Sequence, residues 1–163
     1  MPATPMPEST RFFQPEISIV LWVPAIANRD APTRAELNAG IDITGEIADI
    51  SGWLASAGYI DTPDFKKRFV ARIGGRITAP DSSITFYGSQ DGEDVRTILA
   101  RGDRGHVVFM DGGDVPGQPM DVFPVDVASI GKQRSTSEQA FQIPVNFGIT
   151  QPPSEDVPIP AAA

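Results

Sequence analysis

The stretch SITFYGSQDGEDVRTILARGDRGHVVFMDGG, residues 83–113, predicts two β-strands with a helix between them. Ser83–Tyr87 is short, β-branched and aromatic, which favours a strand, and the glycine and serine that follow it favour a turn. His106–Met110 is again typical of a strand. The most clearly patterned part of the chain therefore indicates β-structure at both of its ends.

Between these two strands the sequence predicts a helix over about residues 91–101. Asp91 can cap the free amides of a first turn, and Asp94 lies where the helix dipole favours a carboxylate. Gly102 can adopt the left-handed conformation that commonly ends a helix. One apolar face at helical spacing would pack on a sheet: Val95, Ile98 and Leu99. Because the rest of the chain offers little helix, we expect a mainly β fold with one flanking α-helix.

The segments around this unit predict further strands and connections. Ile17–Trp22 is apolar at nearly every position, which is typical of a strand covered on both faces, and Pro24 would end it. Pro32–Gly40 predicts a short helix or a loop, and Ser56–Asp64 is rich in turn residues and predicts a connection. Two β-rich segments would close the ordered part: Asp121–Gln133 and Phe141–Ile149.

The chain length of 163 residues suits a single domain with a short segment outside the domain at each end. Residues 1–15 and 151–163 are rich in proline and poor in apolar periodicity. We therefore expect an N-terminal arm at 1–15, one β domain at 16–150, and a Pro-rich C-terminal tail at 151–163, with both ends extended.

Composition excludes several functional classes. The formal net charge of -8 argues against a protein that grips nucleic acid, because phosphate binding depends on Lys and Arg. The chain has no cysteine and one histidine, so disulfides, thiolate metal sites and His-rich metal sites are excluded. There is no apolar run long enough to cross a bilayer and no signal-peptide pattern at the N-terminus, so we expect a soluble protein made in the cytoplasm.

The candidate chemical motifs have simpler structural interpretations. The carboxylate clusters Asp91–Asp94 and Asp111–Asp114 do not match the spacing of a calcium loop, and they fit a helix N-terminus and a glycine turn. The chain has no glycine-rich phosphate loop, and His106 has no nucleophile on a strand-to-helix elbow to act with. We therefore expect no cofactor, no metal and no enzymatic activity.

A basic row is the strongest charge pattern in the chain. If Phe65–Ile77 is one extended strand, its apolar residues fall on one face and its basic residues on the other: Lys66, Arg68, Arg72 and Arg76. In a monomer such a row is a solvated face, because exposed ion pairs contribute only about 0–1 kcal/mol. In an assembly it would pair with acidic surfaces of neighbouring copies. Both interpretations stay open.

In the order and texture of its segments, the sequence from 11 to 150 resembles bacteriophage major tail tube proteins of the siphophage type. The resemblance is carried by the stretch 83–113 and by four others: ADISGWL at 48–54, TPDF at 62–65, VFPVDVASIGKQ at 122–133 and FQIPVNFGIT at 141–150. It implies an antiparallel β-sandwich or barrel of two packed sheets with a flanking helix and extended arms. It also implies six copies closing into a ring, and rings stacking into a hollow tube in the virion through which double-stranded DNA passes without specific binding.

The same resemblance implies partners and sites. The partners would be other copies of the chain, a tape measure protein, and tail tip and terminator proteins, with no insertion into a membrane. Carboxylates lining the channel would repel DNA phosphate, and the candidates are Asp42, Glu46, Asp49, Asp121 and Asp126. Contacts between copies would involve the basic row, the arms and the 56–64 connection, through Lys66, Arg68, Arg72, Arg76, Phe12, Phe13, Tyr59 and Asp61.

Two alternatives stay open. The tube of a contractile injection machine or of type VI secretion shares this fold and would pass effectors in place of DNA. A free β-sandwich that binds a ligand or decorates a virion is a different class, and it would be a monomer or small oligomer with an exposed aromatic patch.

Overall fold

The computed structural model describes residues 1–162 and confirms a mainly β fold with antiparallel sheets. Its single α-helix within that range, α1, is Arg34–Asn38. The strands are β1 Ile19–Val23, β2 Ile41–Asp42, β3 Ile47–Ser51, β4 Ser56–Thr62, β5 Ala71–Thr78, β6 Ser82–Tyr87, β7 Arg104–Met110, β8 Pro119–Ile130, β9 Gln142–Ile149 and β10 Ser154–Pro158.

The larger sheet has the strand order β2-β1-β7-β8-β9-β6-β3, and β10 pairs with β8 beside β9. Its two edge strands, β2 and β3, are consecutive in the chain and joined through a short 3-10 helix at Thr44–Glu46. Four residues reach at most about 14 Å, so the two edges must lie near one another. The sheet therefore curls around an apolar interior. Within residues 1–162, β2 and β3 do not pair with each other, so the barrel is not closed, and we call the gap between these two edges the seam.

Two apolar clusters fill the two faces of the curled sheet. The larger cluster lies inside it and includes Trp22, Phe86, Phe123, Val145 and Phe147. The second lies on the outer face of β1, β7 and β8 and includes Val23, Leu37, Val108, Met110, Met120, Val122, Val157 and Ile159. The strand β1 contributes to both clusters, which confirms the prediction of a strand covered on both faces.

The prediction of an α-helix over 91–101 is wrong, and a short 3-10 helix at Val95–Thr97 takes its place. Asp94, not Asp91, is its N-cap and accepts from the backbone N–H of Arg96. Asp91 instead accepts from the N–H of Glu93, and Gly92 has a φ of +87°, so the chain turns where the helix would have begun. The predicted apolar face is still used, because Val95 and Leu99 are buried in the larger cluster.

The α-helix forms instead in the segment that predicted a short helix or a loop. Thr33 and Glu36 make a capping box, in which the Thr33 side chain accepts from the Glu36 N–H and the Glu36 carboxylate accepts from the Thr33 N–H at 2.7 Å. Leu37 packs into the outer apolar cluster. Reciprocal capping stabilises a helix that is otherwise too short to persist.

Two further segments differ from expectation. Ser56–Thr62, expected to be a connection, is strand β4 and pairs with β5. The tail, expected to be extended, contains β10, which pairs with β8, and its residues Val157 and Ile159 are buried. Apolar contact at these two side chains holds the tail in the body of the fold, whereas residues 1–13 are exposed and form no helix or strand.

Candidate self-association surface

The most exposed ordered part of the molecule is a hairpin made of β4 and β5. The hairpin follows the β3–β6 ladder along the same two chain segments. The β3–β6 ladder ends at the pair Ser51 and Ser83, and the β4–β5 ladder begins at the pair Ser56 and Thr78. The second sheet consists of these two strands alone. We call residues 56–78 the projecting hairpin.

The base of the projecting hairpin is fixed by a backbone kink. Gly52 has a φ of +87°, and a Cβ there would lie 2.8 Å from the Asp81 carbonyl oxygen, so only glycine fits. Trp53 also has a positive φ of 65°, a conformation that is rare for a bulky residue and persists only where its surroundings fix it. Its N–H donates to the Ser82 hydroxyl at 3.1 Å, and its indole N–H donates to the Ser83 carbonyl at 3.2 Å.

The kink turns the Trp53 ring into the larger apolar cluster. The ring centroid lies 5.0 Å from that of Phe109, 5.3 Å from that of Phe123 and 5.4 Å from that of Phe147. Edge-to-face and tilted contacts at these distances are favourable for aromatic pairs. The tryptophan therefore anchors the base of the projecting hairpin in the body of the fold.

Beyond this anchor, almost every residue of the projecting hairpin is exposed. Tyr59 is 71% exposed and Phe69 is 79% exposed. Other large apolar side chains share this exposure: Ile60, Phe65, Val70, Ile73 and Ile77. Seven large apolar side chains exposed within residues 56–78 are typical of an interaction site, because a monomer gains nothing by presenting them to water.

The projecting hairpin is also the basic part of an acidic protein. Residues 56–78 contain five of the thirteen basic residues and two of the twenty-one acidic ones. Arg72 donates to Asp61 across the two strands at 2.8 Å, and both side chains are more than half exposed. Such an exposed pair contributes little stability, so the positive surplus remains available to a partner.

The candidate contact residues are all exposed but do not form one row. The chain turns between β4 and β5, so Lys66 and Arg68 lie in the connection at the tip, while Arg72 and Arg76 lie on β5. The predicted single strand over Phe65–Ile77 is wrong in its first part for this reason. Tyr59 and Asp61 lie on β4, and Phe12 and Phe13 lie in the exposed N-terminal segment.

The five candidate lumen carboxylates fall in different places. Asp42 and Glu46 line one cavity of about 230 Å³ together with Glu93 and Asp94, and Asp49 is exposed on β3. Asp121 and Asp126 are half-buried on β8. They are an odd number of residues apart, so their side chains point to opposite faces of the sheet. The structure therefore brings two of the five together and separates the others.

The carboxylate clusters of the sequence have structural partners. Asp114 makes a bidentate pair with Arg34, with its closest contact at 2.8 Å. Asp94 is buried, pairs with Arg96 at 2.6 Å and accepts from the Ser89 N–H at 2.8 Å. The hydrogen bonds from Arg96 hold the pKa of Asp94 far below its usual range.

The other potential chemical groups are isolated. Burial lowers the pKa of His106, which lies half-buried on β7. Across residues 1–162, no group of three or more His, Asp or Glu side chains is arranged to hold a metal ion. The same residues include no helix with the length and apolar character needed to span a membrane.

Comparison with known proteins gives one family match. A family model described as "Phage tail tube protein" matches residues 6–162. No curated protein matches the chain. Among solved structures, one chain of the anti-feeding prophage baseplate, determined by cryo-EM and six-fold symmetrised, is similar with a TM-score of 0.49 and 9% identity, over 91% of this chain and 95% of that one.

Proposed function

The chain belongs to the phage tail tube protein family, and from this premise we propose that it is a structural virion protein. Six copies close into a ring, and rings stack into the tube of a siphophage-type tail. Double-stranded DNA passes through the channel during ejection without being held. The tape measure protein and the tail tip and terminator proteins are the expected partners of this tube.

The observation that carries this proposal is the exposure of the projecting hairpin. A two-stranded hairpin is marginally stable in water by itself, and this one presents aromatic and aliphatic side chains on both strands. Burial against other copies would remove that apolar surface from water, at roughly 25 cal/mol per Å². The same exposed aromatic side chains would also fit a free binding module, and the family match favours a subunit that buries them by assembly.

The charge of the remaining chain supports DNA passage. Outside residues 56–78 the chain carries nineteen acidic and eight basic residues. A channel lined with carboxylates repels phosphate, so DNA slides through it without being trapped. Asp42, Glu46 and Asp49 are the first candidates for that lining, because they follow one another on β2, the 3-10 turn and β3 and are all exposed.

Assembly is tested by purifying the chain and concentrating it at low salt. We expect rings of six and tubes of constant diameter in negative-stain micrographs, and a concentration-dependent mass by light scattering. A free binding or decoration module would instead stay a monomer or small oligomer. A monodisperse monomer at high concentration, even with a tail-tip complex present as initiator, would contradict the proposal.

DNA passage is tested in particles that carry charge reversals. Glu46→Lys and Asp49→Lys together should leave tubes intact and slow DNA ejection, because cations in the channel hold phosphate. Asp42 is left unchanged in this test, because its carboxylate accepts from the Thr44 N–H and hydroxyl. Glu138→Lys and Glu155→Lys together, two exposed reversals elsewhere in the chain, are the matched control. Unchanged ejection would show that other residues line the channel, and normal assembly without any DNA transit would favour the tube of an injection or secretion machine.

A further inference from the structure

A groove runs along the seam of the curled sheet, where β3 approaches β1, β7 and β8. Its volume is about 670 Å³, and its apolar lining includes Ile47, Ile50, Trp53, Phe109 and Phe123. Ile50 is 43% exposed at its mouth. We call this the seam groove. An aromatic-lined cavity of this volume is typical of a binding site, and it has room for more than one apolar side chain.

The charged residues that line the seam groove are all acidic: Glu16, Asp111 and Asp121. Asp121 is half-buried and accepts from the Asp156 N–H at 2.9 Å. Burial raises the pKa of Asp121, and the nearby Asp111 and Asp156 carboxylates raise it further. A cation placed at this rim would relieve that repulsion, so the groove selects a segment that is both apolar and basic.

The tip of the projecting hairpin has this composition. Residues 65–69, Phe-Lys-Lys-Arg-Phe, place an aromatic ring at each end of three basic side chains. Phe65 and Phe69 are among the most exposed apolar residues of the chain. By contrast, the N-terminal segment that holds Phe12 and Phe13 contains one acidic and one basic residue, Glu8 and Arg11, and matches the acidic rim less well.

We propose that the hairpin tip of one copy, residues 65–69, docks in the seam groove of a second copy. This inference rests on the proposed function, because it supplies the contact by which copies assemble. The partner's aromatic ring would pack on Trp53 and Phe109, and its basic side chains would face Asp111 and Asp121. Apolar packing supplies affinity, and the complementary charges set the register.

The geometry favours a contact between copies over a contact within one chain. Trp53 lines the groove and also anchors the hairpin base, so the groove lies at the foot of the hairpin. β4 and β5 have seven and eight residues, which places the tip roughly 20–25 Å from that foot. Because tip and groove are different surfaces, the contact is heterologous and propagates from copy to copy.

Cysteine pairs test the docking directly, because the natural chain contains no cysteine. In the variant Phe69→Cys/Ile50→Cys, mild oxidation of assembled protein should give a ladder of disulfide-linked multimers on non-reducing gels. A disulfide needs Cα atoms about 4.4–6.8 Å apart, so the link forms only if tip and groove meet. Phe69→Cys/Val115→Cys, with an exposed partner in the β7–β8 turn, is the control and should stay unlinked.

Each outcome decides between the two proposals. The docking is supported if assembled particles give disulfide-linked multimers with Phe69→Cys/Ile50→Cys and none with Phe69→Cys/Val115→Cys. Normal particles with no ladder, or with equal ladders from both pairs, overturn the docking and leave the tube subunit standing. A ladder from Phe13→Cys/Ile50→Cys without one from the Phe69 pair also overturns it, since the arm would then occupy the groove. If the cysteine-free parent forms no particles, the tube proposal itself fails.

Discussion

The curled sheet and the projecting hairpin are built from the same antiparallel ladder, but they use their apolar residues in opposite ways. In the sheet, Ile84, Phe86 and Phe147 are buried among residues from six strands. In the projecting hairpin, which extends the β3–β6 ladder, Phe65 and Phe69 face water. Folding thus accounts for the apolar residues of the sheet, whereas those of the hairpin are the ones for which we propose a contact between copies.

Charge divides the molecule at the same boundary. The projecting hairpin has a basic surplus, while the rest of the chain has more than twice as many acidic as basic residues. Opposite surpluses on two surfaces of one chain favour contact between copies and disfavour contact between like surfaces. We therefore propose that the curled sheet supplies stability and that the projecting hairpin supplies the contact between copies.

The largest effect on the free energy of unfolding should come from truncating a buried phenylalanine of the curled sheet. Phe147→Ala removes a buried ring that packs on Trp22 and Trp53, and we expect it to lower the free energy of unfolding by about 3–5 kcal/mol. Phe69→Ala, in the projecting hairpin, should change it by less than about 0.5 kcal/mol. Urea denaturation of dilute, unassembled protein measures both. A large loss from Phe69→Ala would show that the hairpin already packs within the monomer.

A smaller effect should come from the buried ion pair beside the 3-10 helix. Asp94 accepts from Arg96 and from the Ser89 N–H, and Asp94→Asn should cost about 2 kcal/mol at pH 7 because charge-assisted hydrogen bonds are lost. The folded pKa of Asp94 lies below its unfolded value, so this contribution is present above about pH 4 and is lost as the pH falls below it. The difference in free energy of unfolding between the natural chain and Asp94→Asn should become smaller from pH 7 to pH 3. An unchanged difference would contradict this account.

The smallest effect should come from the exposed ion pair on the projecting hairpin. Asp61→Asn removes the negative charge that faces Arg72, and we expect the free energy of unfolding to change by less than about 0.5 kcal/mol. Assembly should be unchanged or slightly stronger, because the hairpin becomes more basic. Denaturation and sedimentation of the same sample test this. Marked destabilisation would mean that the hairpin has a stabilising role that its exposure does not indicate.

Much of the sheet was predictable because its strands carry local signals. Ile17–Trp22, Ser83–Tyr87 and Phe141–Ile149 have continuous or alternating apolar patterns, and each corresponds to an observed strand. The helix at 91–101 was predicted wrongly because two acidic caps were available, and periodicity does not decide between them. Asp94 is the one that the fold buries, through its contact with Arg96, and the helix therefore begins at Val95.

The candidate surface was predictable only in part. The basic side chains identified an interaction region, but β4 was missed because its exposed residues show no apolar alternation and its glycine and aspartate resemble turn residues. The role of Trp53 as the anchor was hidden for a different reason. A positive φ at a tryptophan follows from tertiary packing against Phe109 and Phe123, and local sequence carries no signal for it.

The separation of stability from assembly is tested most directly by sedimentation velocity of the double variant Phe65→Ser/Phe69→Ser beside the natural chain, at matched concentrations. We expect the natural chain to form rings and tubes, and the variant to stay monomeric with an unchanged urea midpoint, because both side chains are exposed in the monomer. If the variant assembles at the same concentration as the natural chain, the projecting hairpin does not carry the contact between copies.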